Sequence, residues 1–180
     1  MTVKVRIAIT GRPGVGKTTV IERVLARIPL SAGGMLTEEI RKCGHRVGFY
    51  VIDIATGRNG VLAHLHQGKG PKIGRYTVNL HDLEEVGVAA IRRAVLEKDL
   101  IVIDEIAPME LCSPAFIQAV EKALASSRHL LISTHAHTDH PLVHRVNQEL
   151  ELFRVKLSTR DNMAETIVEA FKPGSDNAYD

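Results

Sequence analysis

Apolar and polar positions along this chain repeat with a period that switches several times, and each switch marks an expected element. Residues 3–10 are β-branched, alternate in polarity and end at a glycine-rich turn, which predicts a strand. Over residues 17–28, Val20, Ile21, Val24, Leu25 and Ile28 recur at helical spacing until Pro29 stops the run. The texture then changes. Residues 35–41 and 46–54 read as strands separated by the turn Lys42-Cys43-Gly44-His45, and residues 61–65 form a third strand after a turn at residues 56–60. These predict antiparallel β structure inserted after the first helix, at about residues 34–65. Residues 67–71 read as an exposed loop and 75–79 as a short strand.

The second half reads as helix 82–97, with Leu83, Val86, Ala90, Ile91, Ala94 and Val95 inward, then a nearly all-apolar strand 100–104. Such a strand suits the centre of a parallel sheet, which is covered on both faces. Helix 114–125, strand 129–134, helix 141–150, strand 151–157 and helix 162–171 follow. The expected fold is α/β, three layers around a mostly parallel sheet with an inserted antiparallel β-hairpin region. It forms one domain over residues 1–171. The Pro-, Gly-, Ser-, Asn- and Asp-containing tail 172–180 is expected to be flexible.

Composition narrows the class. With 180 residues, 44% hydrophobic but only 4% aromatic and no Trp, the core must be aliphatic. The 23 basic and 21 acidic residues are interspersed, so nothing resembles the basic stripe of a duplex-DNA binder, and nucleic acid is not indicated. Two distant cysteines, Cys43 and Cys112, make neither a disulfide framework nor a cysteine zinc site. The N-terminus lacks a signal-peptide block, and no apolar run approaches the ~20 residues of a membrane span. The expectation is a cytoplasmic monomer.

The chemistry is concentrated in Gly11-Arg12-Pro13-Gly14-Val15-Gly16-Lys17-Thr18, followed by Thr19. This is G-x-x-x-x-G-K-[ST] between a strand and an amphipathic helix, the phosphate-binding P-loop (Walker A) in its required context. Glycines let the backbone N–H groups fold around phosphate oxygens, and the helix adds the positive end of its dipole. Lys17 would reach the β- and γ-phosphates and the Thr18 hydroxyl would ligate Mg²⁺. The apolar strand ending in Asp104-Glu105 supplies the second motif (Walker B). Asp104 would hold the Mg²⁺ shell, and Glu105 would orient or deprotonate the attacking water. A cation must also meet charge on the transferred phosphoryl group. The candidates are Arg12, Arg41, Arg46, Arg145 and Arg160, and spacing does not choose among them.

Beyond these two motifs, the chain resembles the thermophilic nucleoside-triphosphatase family, also called cancer-related nucleoside-triphosphatases. The resemblance runs over residues 9–19, then Gly34-Met35-Leu36-Thr37-Glu38-Glu39-Ile40-Arg41 and the hairpin segment Gly44-His45-Arg46-Val47-Gly48-Phe49. It continues through Gly74-Arg75-Tyr76-Thr77-Val78, then Ile103-Asp104-Glu105-Ile106 with Met109-Glu110-Leu111. It implies a RecA-like P-loop core that hydrolyses ATP, GTP, CTP and UTP slowly, with Mg²⁺ and little base preference. It carries catalytic roles to Lys17 and Glu105, and raises Arg41 and Arg46 as phosphate-side arginines. Two departures stand out. Ala107-Pro108 replaces the Gly-Lys of many members, and residues 158–163 follow the family's Thr-Pro-Glu-Asn-Arg segment only loosely.

Residues 134–140 carry a competing signal. His135, His137, Asp139 and His140 form the His-x-His-x-Asp-His pattern of dinuclear metallohydrolases. That fold needs further ligands downstream, and no histidine follows His144; in the nucleotidase reading the same segment is the loop at the end of the fourth core strand, near the γ-phosphate side. Alternatives of other classes are a nucleotide or polynucleotide kinase, which uses the same phosphate site with another acceptor, and a nucleotide-dependent switch or adaptor. A guanine-specific GTPase is disfavoured, since no Asn-Lys-x-Asp motif occurs.

Overall fold

In the computed structural model, residues 4–172 are described. The start of the expected first strand, and all of the expected tail except Lys172, lie outside them. The chain begins with β1 (Arg6–Gly11), α1 (Lys17–Leu25), β2 (Ala32–Lys42), β3 (His45–Asp53) and β4 (Asn59–His64). Two short strands, β5 (Lys72–Ile73) and β6 (Tyr76–Val78), precede a continuous helical segment. That segment opens as α2 (Leu80–Asp82), widens into a π-helical stretch (Leu83–Val88) and continues as α3 (Ala89–Glu97). β7 (Leu100–Ile106) then leads through a 3-10 turn (Glu110–Cys112) to α4 (Pro114–Ala125). β8 (His129–His135), α5 (Pro141–Glu149), β9 (Glu151–Arg154) and α6 (Arg160–Ala170) complete the described chain.

Among the described residues nine strands make one sheet, in the order β5-β6-β4-β3-β2-β7-β8-β1-β9. From β2 to β9 the pairs are parallel, and from β2 to β5 they are antiparallel. Alternation along the buried strands supplies two separate cores. Ile7, Ile9, Leu100, Val102 and Leu131 face α1 and α6, while Ala8, Ile101, Ile103, Leu130 and Ile132 face α3, α4 and α5. This is the three-layer α/β arrangement.

The antiparallel region is a continuation of the main sheet more than an insertion. β2 starts three residues earlier than its hydrophobic pattern suggests and pairs with β7 through Ala32, Gly33, Gly34 and Met35 before running on into the hairpin. Gly33-Gly34 reads as a break because glycine weakens a strand, yet here it permits close approach. A Cβ on Gly34, whose φ is 113°, would stand 1.9 Å from the Val102 carbonyl oxygen.

Local capping explains other boundaries. Asn79 accepts from the Asp82 N–H at 3.2 Å, so the helix begins ahead of residue 82. Ser113 accepts from the Phe116 N–H at 3.2 Å and Pro114 takes the first helical position, fixing the start of α4. β9 ends before residue 157 because the chain turns back, with the Thr159 N–H donating to the Lys156 carbonyl at 3.0 Å.

Candidate active site

Because β8 lies between β7 and β1, three strand ends present their chemistry side by side. β1 delivers the P-loop, β7 delivers Asp104 and Glu105, and β8 delivers Thr134 and His135. In open parallel sheets this carboxyl edge is where ligands bind. Gly16, at φ 105°, occupies the N-cap position of α1 in a left-handed conformation that a side chain would strain. Lys17, only 6% exposed, folds back over the loop. Its Nζ donates to the carbonyls of Gly11 at 3.0 Å and Arg12 at 3.4 Å, and stands 2.8 Å from Glu105 Oε1.

Asp104 is held from three sides. Ser133 Oγ donates to Oδ1 at 2.6 Å, Thr18 Oγ1 to Oδ2 at 2.7 Å, and Thr37 Oγ1 to Oδ2 at 3.4 Å. Burial still holds its carboxyl above the ordinary range, against the opposing pull of these donors and of Lys17. Glu105 is likewise raised, by burial first and with Asp104 adding to it, while Lys17 draws it back. Glu110 lies deeper. It is buried, its Oε2 has no hydrogen-bond partner, and burial together with the charge of Glu105 pushes it well above the carboxylate range.

Lys17, Thr18, Thr37, Glu105 and Glu110 line a cleft of about 590 Å³, with Asp104 buried behind them. One wall is the P-loop from Pro13 to Thr19 with Glu22. The other runs through Thr37, Glu38, Glu39, Arg46 and Phe49 to Leu62, Ile73, Met109 and Glu110. A second depression, about 740 Å³, opens across the P-loop between residues 10–15 and residues 154–158.

The candidate arginines separate clearly. Arg46 lines the cleft. Its Nη1 donates to Glu39 Oε1 at 2.9 Å, its Nε donates to the Tyr76 hydroxyl at 3.1 Å, and its guanidinium stands 5.1 Å from the Phe49 ring centroid. The structure does not bring Arg41 to the cleft wall, because Glu39 Oε2 and the Gly44 carbonyl hold it on the exposed hairpin. Arg12 lines the second depression, and Arg145 is bonded to Glu149. Arg160 lies against the P-loop, with its Cδ 3.2 Å from where a Cβ on Gly16 would stand.

The dinuclear histidine pattern is not assembled. His140 Nδ1 accepts from the Leu142 N–H and caps α5, His144 pairs with Asp139 at 2.9 Å, and His135 turns Nδ1 into its own loop. Among the described residues no group of three His, Cys, Asp or Glu is placed to hold a metal ion. Mg²⁺ does not need one, since it keeps water and substrate phosphate as ligands around one or two protein groups. The Thr18 hydroxyl and Asp104 carboxylate, 2.7 Å apart, fit that role. Nearby Glu22 is raised by burial and by Asp104 and Glu38, an acidic crowding that a divalent cation would relieve.

Sequence reasoning missed Ser133, Thr37 and Glu110 as members of the site; it set the loop that begins at His135 near the γ-phosphate but gave His135 no role there, and His135 lines the cleft. For Glu110, its place in the Met-Glu-Leu segment was an available signal.

A family model described as NTPase matches residues 6–168. The nucleoside-triphosphatase THEP1 of Methanosarcina acetivorans is 46% identical over 170 residues, covering 92% of this chain and 96% of its own. That of Thermofilum pendens is 51% identical over 130 residues, 71% of each chain. The crystal structure of THEP1 from Aquifex aeolicus superimposes with a TM-score of 0.85 at 30% identity, covering 93% of this chain and 99% of that one. The solution structure of a human cancer-related nucleoside triphosphatase gives 0.75 at 30% identity, covering 93% and 97%. No helix among the described residues is long and apolar enough to cross a membrane.

Proposed function

The chain belongs to this NTPase family, and from that premise we propose that it hydrolyses the β–γ bond of nucleoside triphosphates, slowly, with Mg²⁺ and broad base preference. One observation carries the reading: the P-loop is joined to the acidic strand end by two contacts, Lys17 to Glu105 at 2.8 Å and Thr18 to Asp104 at 2.7 Å. A phosphate chain seated in the loop therefore lies directly against a carboxylate able to handle a water molecule.

The loop amides and the N-terminus of α1 bind the β- and γ-phosphates. Those phosphates compete with Glu105 for the Lys17 ammonium, and Glu105, once released, faces the terminal phosphate. A carboxylate whose proton affinity is raised by burial is a better base, so Glu105 accepts the proton of the attacking water. Thr18 and Asp104 would hold Mg²⁺, which would supply charge neutralisation to the bound phosphate chain. Lys17 and the loop amides stabilise charge as the bond to the leaving diphosphate breaks. The nucleoside takes the second depression, where Arg12 and residues 154–158 offer no base-reading motif, and several bases are accepted. Arg46 is the phosphate-side arginine of the cleft wall.

Phosphate release from ATP, GTP, CTP and UTP with Mg²⁺ tests this. Slow release from several of them, lost in Lys17→Ala and Glu105→Ala, is the expected result. Tight binding without turnover would overturn it. The apolar far wall, with Phe49, Leu62, Ile73 and Met109, favours one second reading: a kinase whose acceptor fills that space. Label from γ-labelled ATP appearing on an added acceptor, with no free phosphate, would select it.

A further inference from the structure

We infer that His135 is a catalytic residue, its Nε2–H donating a hydrogen bond to an oxygen of the γ-phosphoryl group as the bond to the diphosphate breaks. The inference rests on the hydrolytic reading above and adds to it a neutral donor on the strand between the P-loop and the acidic strand, beside Lys17 and the cleft-wall Arg46.

Position comes first. His135 is the last residue of β8, the strand between the P-loop strand and the acidic strand, and is in register with Gly11. Its side chain lines the same cleft as Lys17, Thr18 and Glu105. Orientation comes second. The His137 backbone N–H points at His135 Nδ1 at 3.3 Å, and Thr138 Oγ1 lies 3.0 Å from the same atom. A backbone N–H can only donate, so Nδ1 is the acceptor, Thr138 donates as well, and the ring proton is assigned to Nε2. Among the described residues Nε2 makes no hydrogen bond. The protonation state agrees with this tautomer. Burial, the Lys17 ammonium and His137 all lower the imidazole below its ordinary value, so the ring is neutral at pH 7 and still carries one N–H donor, at Nε2.

Three of the candidate arginines are held by partners of their own. Arg46 is bonded to Glu39 and Tyr76, Arg41 to Glu39 and Gly44, and Arg145 to Glu149. A donor already oriented by its own loop needs little reorganisation when charge develops, which is where such groups contribute most.

Two conservative variants separate catalysis from loop support. Asn places its amide near Nδ1 and can keep the contacts to His137 and Thr138, but has nothing at Nε2. Gln places an N–H near Nε2 and loses the Nδ1 acceptor. We expect His135→Asn to lower kcat about 100- to 1,000-fold, the usual loss for one transition-state donor, with little change in KM. His135→Gln should recover a large part of that kcat. The opposite order, Asn active and Gln inactive, or a loss confined to KM, would overturn the assignment in favour of a structural histidine. Lys17→Ala, run alongside, keeps the two readings apart. Wild-type turnover that is lost in Lys17→Ala but intact in His135→Asn sinks only the role of His135. No wild-type turnover sinks the hydrolytic reading and this inference with it.

Discussion

The two halves of the sheet treat their polar groups in opposite ways. On the parallel side, Asp104, Ser133, Thr10, Thr134 and Lys17 are buried, and their partners come from neighbouring strands, from the P-loop or, for Thr134, from Asn147 on α5. On the antiparallel side, Glu39, Arg41, Arg46, Arg75 and Tyr76 form a partly exposed net of ion pairs and ring contacts around the hairpin. Burial makes each group in the first set costly to leave unpaired, at roughly 1–3 kcal/mol apiece, whereas exposed pairs contribute roughly 0–1 kcal/mol. The parallel side is therefore built for fixed geometry around phosphate. The antiparallel side is a wall that can change with little loss of stability.

The sharpest way to break this contrast is at the joint, where Gly34 lets β2 lie against β7. Gly34→Ala would drive a Cβ to 1.9 Å from the Val102 carbonyl at a φ of 113°. We expect a loss of about 4 kcal/mol or more, and a melting temperature lower by roughly 8 °C or more at this chain length. A melt within 2 °C of wild type would show that the two halves are not tightly joined there. A smaller effect is expected on the wall. Arg46→Ala removes two ring contacts and one ion pair, about 1–2 kcal/mol in all, and should reduce turnover because Arg46 lines the cleft. Arg41→Ala should change stability by less than about 0.5 kcal/mol and leave turnover unchanged. Equal losses of activity in both variants would mean that the hairpin acts as a unit.

The same contrast explains what could be read from the sequence. Gly11 to Thr19 and Asp104-Glu105 were legible because a phosphate loop and an acidic strand end are contiguous, and their chemistry fixes their spacing. Ser133 and Thr37 were not, and for His135 only its loop was, because they join the site only through β8 lying between β1 and β7, and β2 beside β7. That adjacency is a property of the folded sheet and leaves no local period. Among the parallel strands, β7 was legible as an apolar run and β1 as a β-branched alternation ending at a glycine-rich turn. The start of β2 was not, since Gly33-Gly34 carries no side chain to pattern, and it is the backbone approach that selects glycine there. Arg41 and Arg46 looked equivalent in sequence and separated only once Glu39 and the hairpin placed one at the cleft and the other outside it.

Glu110 gives the most diagnostic effect. Its carboxyl is buried, Oε2 is unpartnered, and Glu105 and Asp104 add like charge, so the folded protein holds a proton there that the unfolded chain releases near pH 4.3, the ordinary glutamate value. The sign follows from linkage. Because the folded state binds more protons, the contribution of Glu110 to stability is fully present below the unfolded value. It falls as pH rises toward the elevated folded one. Glu110→Gln is a neutral isostere that removes this slope without opening a cavity. The variant should melt close to wild type near the ordinary glutamate value and progressively above it as pH rises from there, measured without Mg²⁺ or nucleotide. A difference that stays constant with pH would mean that Glu110 is charged in the folded protein. The proton it carries would then have to be replaced by a cation or water within reach of Oε2, which would make the floor of the cleft as polar as its P-loop wall.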